Sequence, residues 1–144
     1  MGKVAKGLIY ARVSTETQVE RGQGLDVQLK LCRDHCRKRK VQVLGEYVDE
    51  GVSGATIDRD GLQELLAKLN GADAVIVANT SRLWREDITR PLIQRELKKA
   101  GKDVVAVDNP KYSLYADTPE SYLINGMMEL LDSYERLSLA LKLK

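Results

Sequence analysis

Four short apolar runs punctuate the chain, at Gly7–Val13, Val41–Val48, Asp73–Ala78 and Asp103–Val107. Each has the length of a strand and is bounded by polar or glycine-containing stretches. Between them apolar residues recur at helical spacing over about Leu25–Lys40, Arg59–Leu69 and Ile88–Ala100. Alternation of this kind predicts βαβ units, and hence an α/β domain with a mostly parallel central sheet and flanking helices. Asp73-Ala-Val-Ile-Val-Ala78 is apolar at nearly every position, as a strand buried on both faces should be. Asn70-Gly71 and Ala100-Gly101 supply helix-ending glycines, and Pro91 falls in a first helical turn, where its missing amide does little harm.

The pattern changes after residue 110. Lys111–Ala116 is short and contains tyrosine, which suggests an edge strand or a β-like arm. Thr118-Pro119 then has the form of a helix start, with a capping hydroxyl followed by proline at the first helical position. From there to Lys144 one long helix is expected, with Leu123, Met127, Leu130, Leu131, Tyr134, Leu137 and Leu141 on a recurring face. Such a stripe either packs on its own sheet or pairs with another subunit. The expected division is therefore 1–118 for the α/β part and 119–144 for the long helix.

Composition narrows the picture only a little. At 144 residues, 43% hydrophobic and 31% charged, the chain suits one domain with an ordinary core. No apolar run approaches the ~20 residues that cross a bilayer, and the amino terminus lacks the apolar stretch of a signal peptide. A cytoplasmic protein without membrane contact is expected. Net charge is only +2, but Arg33, Arg37, Lys38, Arg39 and Lys40 crowd the end of the first helix. They form either a solvated last turn that complements the helix dipole or a contact to a phosphate backbone. Cys32 and Cys36 bracket His35, yet they continue the apolar stripe of Leu25 and Leu29, and no second cluster completes a metal site. Core packing is the expectation for both cysteines, with no metal and no small-molecule cofactor.

In open α/β sheets ligands bind beyond the carboxyl ends of the strands. After the first strand come Arg12 and Ser14, after the second Asp49, Glu50, Ser53 and Gly54 with Arg59 opening the next helix. Ser81, Arg82 and Arg85 follow the third, and Asp108 and Asn109 the fourth. Arginines gathered near one serine are costly unless an anion neutralises them, and a phosphodiester fits, since guanidinium forks grip its oxygens. There is no phosphate-binding Gly-x-x-x-x-Gly-Lys-Ser/Thr loop, no Gly-x-Gly-x-x-Gly and no Gly-x-Ser-x-Gly elbow. Asp49-Glu50 is the only adjacent carboxylate pair at a strand end, too little for metal-dependent phosphoryl transfer. What survives is a serine nucleophile with arginine stabilisation.

Taken in order, Tyr10-Ala-Arg12-Val-Ser14-Thr15, Asp49-Glu-Gly-Val-Ser53-Gly54, Asp58-Arg59-Asp60-Gly61-Leu62 and Ser81-Arg82-Leu83-Trp84-Arg85 resemble the catalytic domain of the serine site-specific recombinases. That family includes resolvases, invertases and large integrases or transposases of bacteria, phages and mobile elements. The resemblance implies a three-layer resolvase-like fold ending in a long helix. It implies that Ser14 attacks a DNA phosphodiester, freeing a 3′ hydroxyl and keeping the 5′ phosphate as phosphoserine, so that rejoining needs neither ATP nor metal. By the same resemblance Arg12, Arg82 and Arg85 clamp the phosphate. Tyr10, Gln28, Asp49, Ser53, Arg59 and Ser81 support the site or bind DNA phosphate. Double-stranded DNA is the implied partner, with homodimers and homotetramers formed through the long helix at Met127, Met128, Leu131 and Tyr134.

One position departs from the pattern. Where the family usually has aspartate before the first arginine of Asp-Arg-Leu-x-Arg, this chain has Ser81, which cannot form a charge pair with a guanidinium. Asp49, Glu86 or Asp87 then compensates or activity is reduced, and the alternative is a catalytically weakened DNA-binding or interaction module. Trp84 is expected to be a packing residue. The chain is expected to stop inside or just after the long helix, ahead of the family's DNA-binding region.

Overall fold

The computed structural model describes residues 4–13, 24–51, 59–84, 89–109 and 111–115, together with 119, 123, 126, 127, 130, 131, 133–135, 137 and 138. The elements are β1 (Lys6–Val13), α1 (Leu25–Arg39), β2 (Gln42–Glu50), α2 (Asp60–Ala67), β3 (Ala74–Val77), a 3₁₀ turn (Thr80–Arg82), α3 (Arg90–Lys99) and β4 (Asp103–Ala106). The strands form one sheet in the order β2-β1-β3-β4, and every pairing is parallel. This is the mostly parallel sheet with flanking helices that the alternation predicts.

Successive strand residues face opposite sides of a sheet, and the core divides accordingly. Leu8, Tyr10, Val75, Val77 and Val104 pack with Leu62 and Leu65 of α2 and Ile93 and Leu97 of α3. On the other face Ile9, Ile76 and Ala78 meet Cys32 and Cys36 of α1. Both cysteines are buried and unoxidised, as their helical spacing predicts. Burial pushes the Cys32 thiol up to about 12. Trp84 is buried against Tyr112 with ring centroids 6.5 Å apart, a packing residue as expected.

Element boundaries moved by a residue or two. β2 runs on to Glu50, which brings Asp49 inside the strand, and α1 stops at Arg39 because Lys40 takes the left-handed conformation. Pro91 does open α3, and Gly101 ends it at φ 74°. Over its described positions 111–115 the expected edge strand is a set of turns. The Asp103 carboxylate accepts the Leu114 amide at 2.9 Å and the Ser113 hydroxyl at 2.8 Å, which curls the segment so that Tyr112 and Leu114 reach the core.

The chain divides into two compact units, Met1–Leu114 and Tyr115–Lys144. In the second, every described position from 119 to 138 is helical, with Leu123, Leu130, Tyr134 and Leu137 exposed and Met127 and Leu131 half-buried. Met128 lies outside the described residues. Among the described residues no helix is long and apolar enough to cross a membrane.

Candidate functional site

The carboxyl end of β1 is the centre of the site. Arg12 stands opposite Asp49 of β2 in the parallel register, so Tyr10, Arg12 and Asp49 share the sheet face that α2 covers. The Tyr10 hydroxyl donates to Asp49 Oδ2 at 2.7 Å. The same carboxylate accepts the amides of Gly61 at 2.8 Å and Leu62 at 3.0 Å. Asp49 therefore caps α2 from across the sheet, because Arg59 at the cap position makes no side-chain capping bond. Close approach is what permits this: a Cβ on Gly61 would lie 2.5 Å from the Val48 carbonyl oxygen.

Arg59 is turned inward, with 1% of its surface exposed. Its Nη1 donates to the Tyr10 hydroxyl at 3.1 Å and to the Arg82 carbonyl at 3.3 Å, while Nη2 donates to the Leu83 carbonyl at 2.6 Å. Arg12 makes a parallel set of contacts, from Nε to the Arg82 carbonyl at 2.9 Å and from Nη2 to the Ser81 carbonyl at 2.8 Å. Arg82 in turn reaches the Arg12 carbonyl from Nη1 at 3.4 Å. Three guanidinium groups thus lace β1, the start of α2 and the 3₁₀ turn together, mainly through main-chain oxygens. The Gln28 carboxamide joins the cluster by pairing with the Arg12 main chain at 3.1 and 3.0 Å.

The electrostatics follow from that crowding. Burial, then the neighbouring Arg59, pulls the Arg12 guanidinium below its ordinary value. Arginine remains a cation across all accessible pH. Burial holds the Tyr10 phenol well above its usual range, with Arg59 opposing, so Tyr10 is a neutral donor to Asp49. Arg59 and Arg82 crowd the Arg12 cation, and the nearby Asp49 carboxylate is already bonded to three donors. An arrangement of that kind is suited to receiving an anion.

The structure brings together Tyr10, Arg12, Gln28, Asp49, Arg59 and Arg82, all read from the sequence as site residues. Ser81 joins them through its carbonyl, while its exposed hydroxyl bonds the Asn79 carboxamide. Ser14, Ser53 and Arg85 lie outside the described residues, as do Glu86 and Asp87. The basic run at the end of α1 stands at the opposite edge of the sheet from Arg12, where Gln42 opens β2 by bonding the Ala5 carbonyl. Within it Arg33 binds Glu46 at 2.6 Å and Arg37 binds Asp34. Sequence reasoning missed Gly61 as a site residue and the carbonyls of residues 81–83 as arginine acceptors. Gly61 had a signal, being a glycine placed in a first helical turn where alanine is ordinarily preferred.

Comparison with known proteins agrees with this fold. A family model described as "Resolvase, N terminal domain" matches residues 7–144. A protein of Bacillus subtilis (strain 168) that carries the name of a DNA recombinase is 31% identical over 130 residues, covering 89% of this chain and 25% of its own length. A resolvase of Clostridium perfringens is 26% identical over 127 residues, covering 88% of this chain and 62% of its own. The chain therefore spans only part of the relatives it matches. Among solved structures, the N-terminal catalytic domain of TP901-1 integrase aligns with a TM-score of 0.68 at 26% identity, covering 91% of this chain and 96% of that one. A resolvase family site-specific recombinase from Streptococcus pneumoniae shares the fold, with a TM-score of 0.68 at 21% identity over 94% of this chain and 93% of its own.

Proposed function

The chain belongs to the resolvase N-terminal domain family, that of serine recombinase catalytic domains, and from this we propose that it cuts and rejoins DNA through a phosphoserine intermediate. In this reading the Ser14 oxygen bonds to phosphorus as the bond from phosphorus to the 3′ oxygen breaks. The proton lost by serine is balanced by one gained at the 3′ oxygen. The 5′ phosphate stays on the protein, and the phosphoester conserved there lets a new 3′ hydroxyl reverse the step without ATP or metal. Arg12, Arg82 and Arg85 hold the phosphoryl oxygens as negative charge spreads over them.

The observation that carries the proposal is the interlocked pair of Arg12 and Arg82, set at a strand end two residues before Ser14. Tyr10, Asp49 and Arg59 serve by holding that pair, and Ser53 remains a candidate phosphate contact. Within the same proposal, residues 1–118 are the catalytic part and 119–144 an oligomerisation helix. Double-stranded DNA is the substrate, and Met127, Met128, Leu131 and Tyr134 contribute to homodimer and homotetramer contacts. The setting is the cytoplasm of a bacterial cell, where such DNA lies.

Ser81 favours one second reading, a weakened recombinase-like module that binds DNA without cutting. One experiment separates the two. The full-length protein is incubated with end-labelled duplex fragments flanking its own coding sequence and denatured in detergent. A covalent protein–DNA adduct that disappears in Ser14→Ala is the expected result. A wild type that shifts the DNA but leaves no adduct selects the silent module instead.

A further inference from the structure

The ladder between β1 and β3 ends early. β1 pairs with β3 only from Gly7 to Ile9, whereas its pairing with β2 continues to Val13 and Glu50. Along a strand, the N–H and C=O of one residue point to one side and those of the next residue to the other. The Val13 carbonyl accepts the Gly51 amide at 2.8 Å on the β2 side. The peptide groups of Arg12 consequently face the side of β3, but the chain beyond β3 has already turned off into Thr80–Arg82. Buried main-chain groups left without partners there would be strongly unfavourable.

Gln28 answers both groups at once. It is the fourth residue of α1 and 0% exposed. Its Oε1 accepts the Arg12 N–H at 3.1 Å and its Nε2 donates to the Arg12 carbonyl at 3.0 Å. A primary carboxamide sets an acceptor beside a donor just as a peptide edge does, so the side chain stands in for one residue of a neighbouring strand. The assignment of oxygen and nitrogen is fixed by the partner, because the Arg12 amide can only donate. Asparagine is a methylene too short for the span, and an ionised glutamate has no proton for the carbonyl.

We infer that Gln28 is a positioning residue for the nucleophile: its carboxamide extends the sheet past β3 and fixes the strand end from which Ser14 departs two residues later. The inference rests on the role proposed for Ser14, and it assigns Gln28 to the main chain rather than to DNA phosphate. It also makes the first turn of α1 the element that holds the carboxyl end of β1 in place.

The test uses the full-length protein with Gln28→Met and Gln28→Glu. Misplacing a nucleophile by a fraction of an ångström to 1 Å costs roughly 10- to 100-fold in rate. Gln28→Met is therefore expected to slow adduct formation at saturating DNA by roughly 10- to 100-fold while the half-saturating DNA concentration stays put. In Gln28→Glu the neutral carboxyl can replace both bonds. The rate relative to wild type should then recover at acid pH and fall as the carboxyl ionises. The charged group beside that carboxyl is the Arg82 guanidinium, whose Nη1 shares the Arg12 carbonyl with the residue-28 side chain, and the neutral Cys32 thiol lies one turn along α1. Amide exchange followed by NMR supplies a readout independent of activity: the Arg12 amide should exchange faster in Gln28→Met while those of Val75 and Val104 hold their protection. Exchange at those two positions also reports folding, and if Gln28→Met is unfolded the pH comparison on Gln28→Glu decides. Wild-type rates in Gln28→Met, or a wild-type pH profile in Gln28→Glu, would overturn the inference. A wild type that forms no adduct counts against the recombinase reading alone, since the exchange of the Arg12 amide still shows whether Gln28 holds the strand end.

Discussion

Replacing Asp49 with alanine should be among the most damaging single changes this domain can suffer. The carboxylate accepts from the Tyr10 hydroxyl and from the amides of Gly61 and Leu62 in buried surroundings. Alanine strands all three donors, and each buried, unsatisfied donor costs about 1–3 kcal/mol. Water entering the small cavity recovers part of this at the helix end, so the lower part of the range applies and the sum is about 3–5 kcal/mol. Native domains hold only about 5–15 kcal/mol in total, so the loss is a large fraction of the stability. Urea unfolding should show a midpoint lower by about 1.5–3.3 M with an unchanged slope, taking a slope of about 1.5–2 kcal/mol/M. A double-mutant cycle with Tyr10→Phe isolates one of the three bonds. Tyr10→Phe alone should cost about 1 kcal/mol, and clearly less once Asp49 is gone, giving a coupling of about 1 kcal/mol or more. A cost below about 1 kcal/mol for Asp49→Ala, or strict additivity with Tyr10→Phe, would refute the account of Asp49 as the remote cap of α2.

Two further outcomes are expected. Gly61→Ala, which in an open first turn would stabilise by about 0.5–1 kcal/mol, should here lower the melting temperature, because the new methyl meets the Val48 carbonyl oxygen at 2.5 Å and main chain cannot rotate away. An unchanged or raised melting temperature would show that β2 can yield. The second concerns Asp73, whose carboxylate is held below its ordinary value by the amides of Lys6 and Ala5, each at 2.9 Å. A depressed carboxylate contributes stability that is complete above its unfolded value of about 3.9 and is lost as the pH falls through the lower folded value. The stability gap between wild type and Asp73→Asn should thus be constant from pH 5 to 7, as about 3.9 lies below that window, and should close in more acid solution. Urea midpoints measured from pH 2 to 7 that show a gap independent of pH would remove the linkage.

How much of this was visible in the one-dimensional chain depends on the range of the interaction. The spacing of Leu25, Leu29, Cys32 and Cys36 is local, and it placed both cysteines in the core correctly. Asp73–Ala78 declared itself as a central strand because a doubly buried strand has no polar face to confuse the pattern. Lys111–Ala116 misled, since Tyr112 and Leu114 alternate like strand residues but are drawn inward by Asp103, a residue of β4. The composition of the site was legible as a gathering of arginines at strand ends. Its wiring was not: Arg59 could be expected to face a phosphate, and only the fold shows its donors spent on Tyr10 and on the carbonyls of Arg82 and Leu83. Gln28 was legible as a site residue, but its task was not, as that depends on where β3 stops pairing with β1.

The oxygens that fasten Arg12 and Arg59 across residues 81 to 83 belong to peptide groups, which all twenty amino acids carry alike. Substituting the side chains of that turn leaves those anchors standing, and Ser81 serves Arg12 in this respect as well as any other residue could. Drift at such positions can erase the spelling of the motif without loosening the scaffold beneath it. A lineage can therefore diverge far in its letters and still have main-chain oxygens on which to seat its arginines.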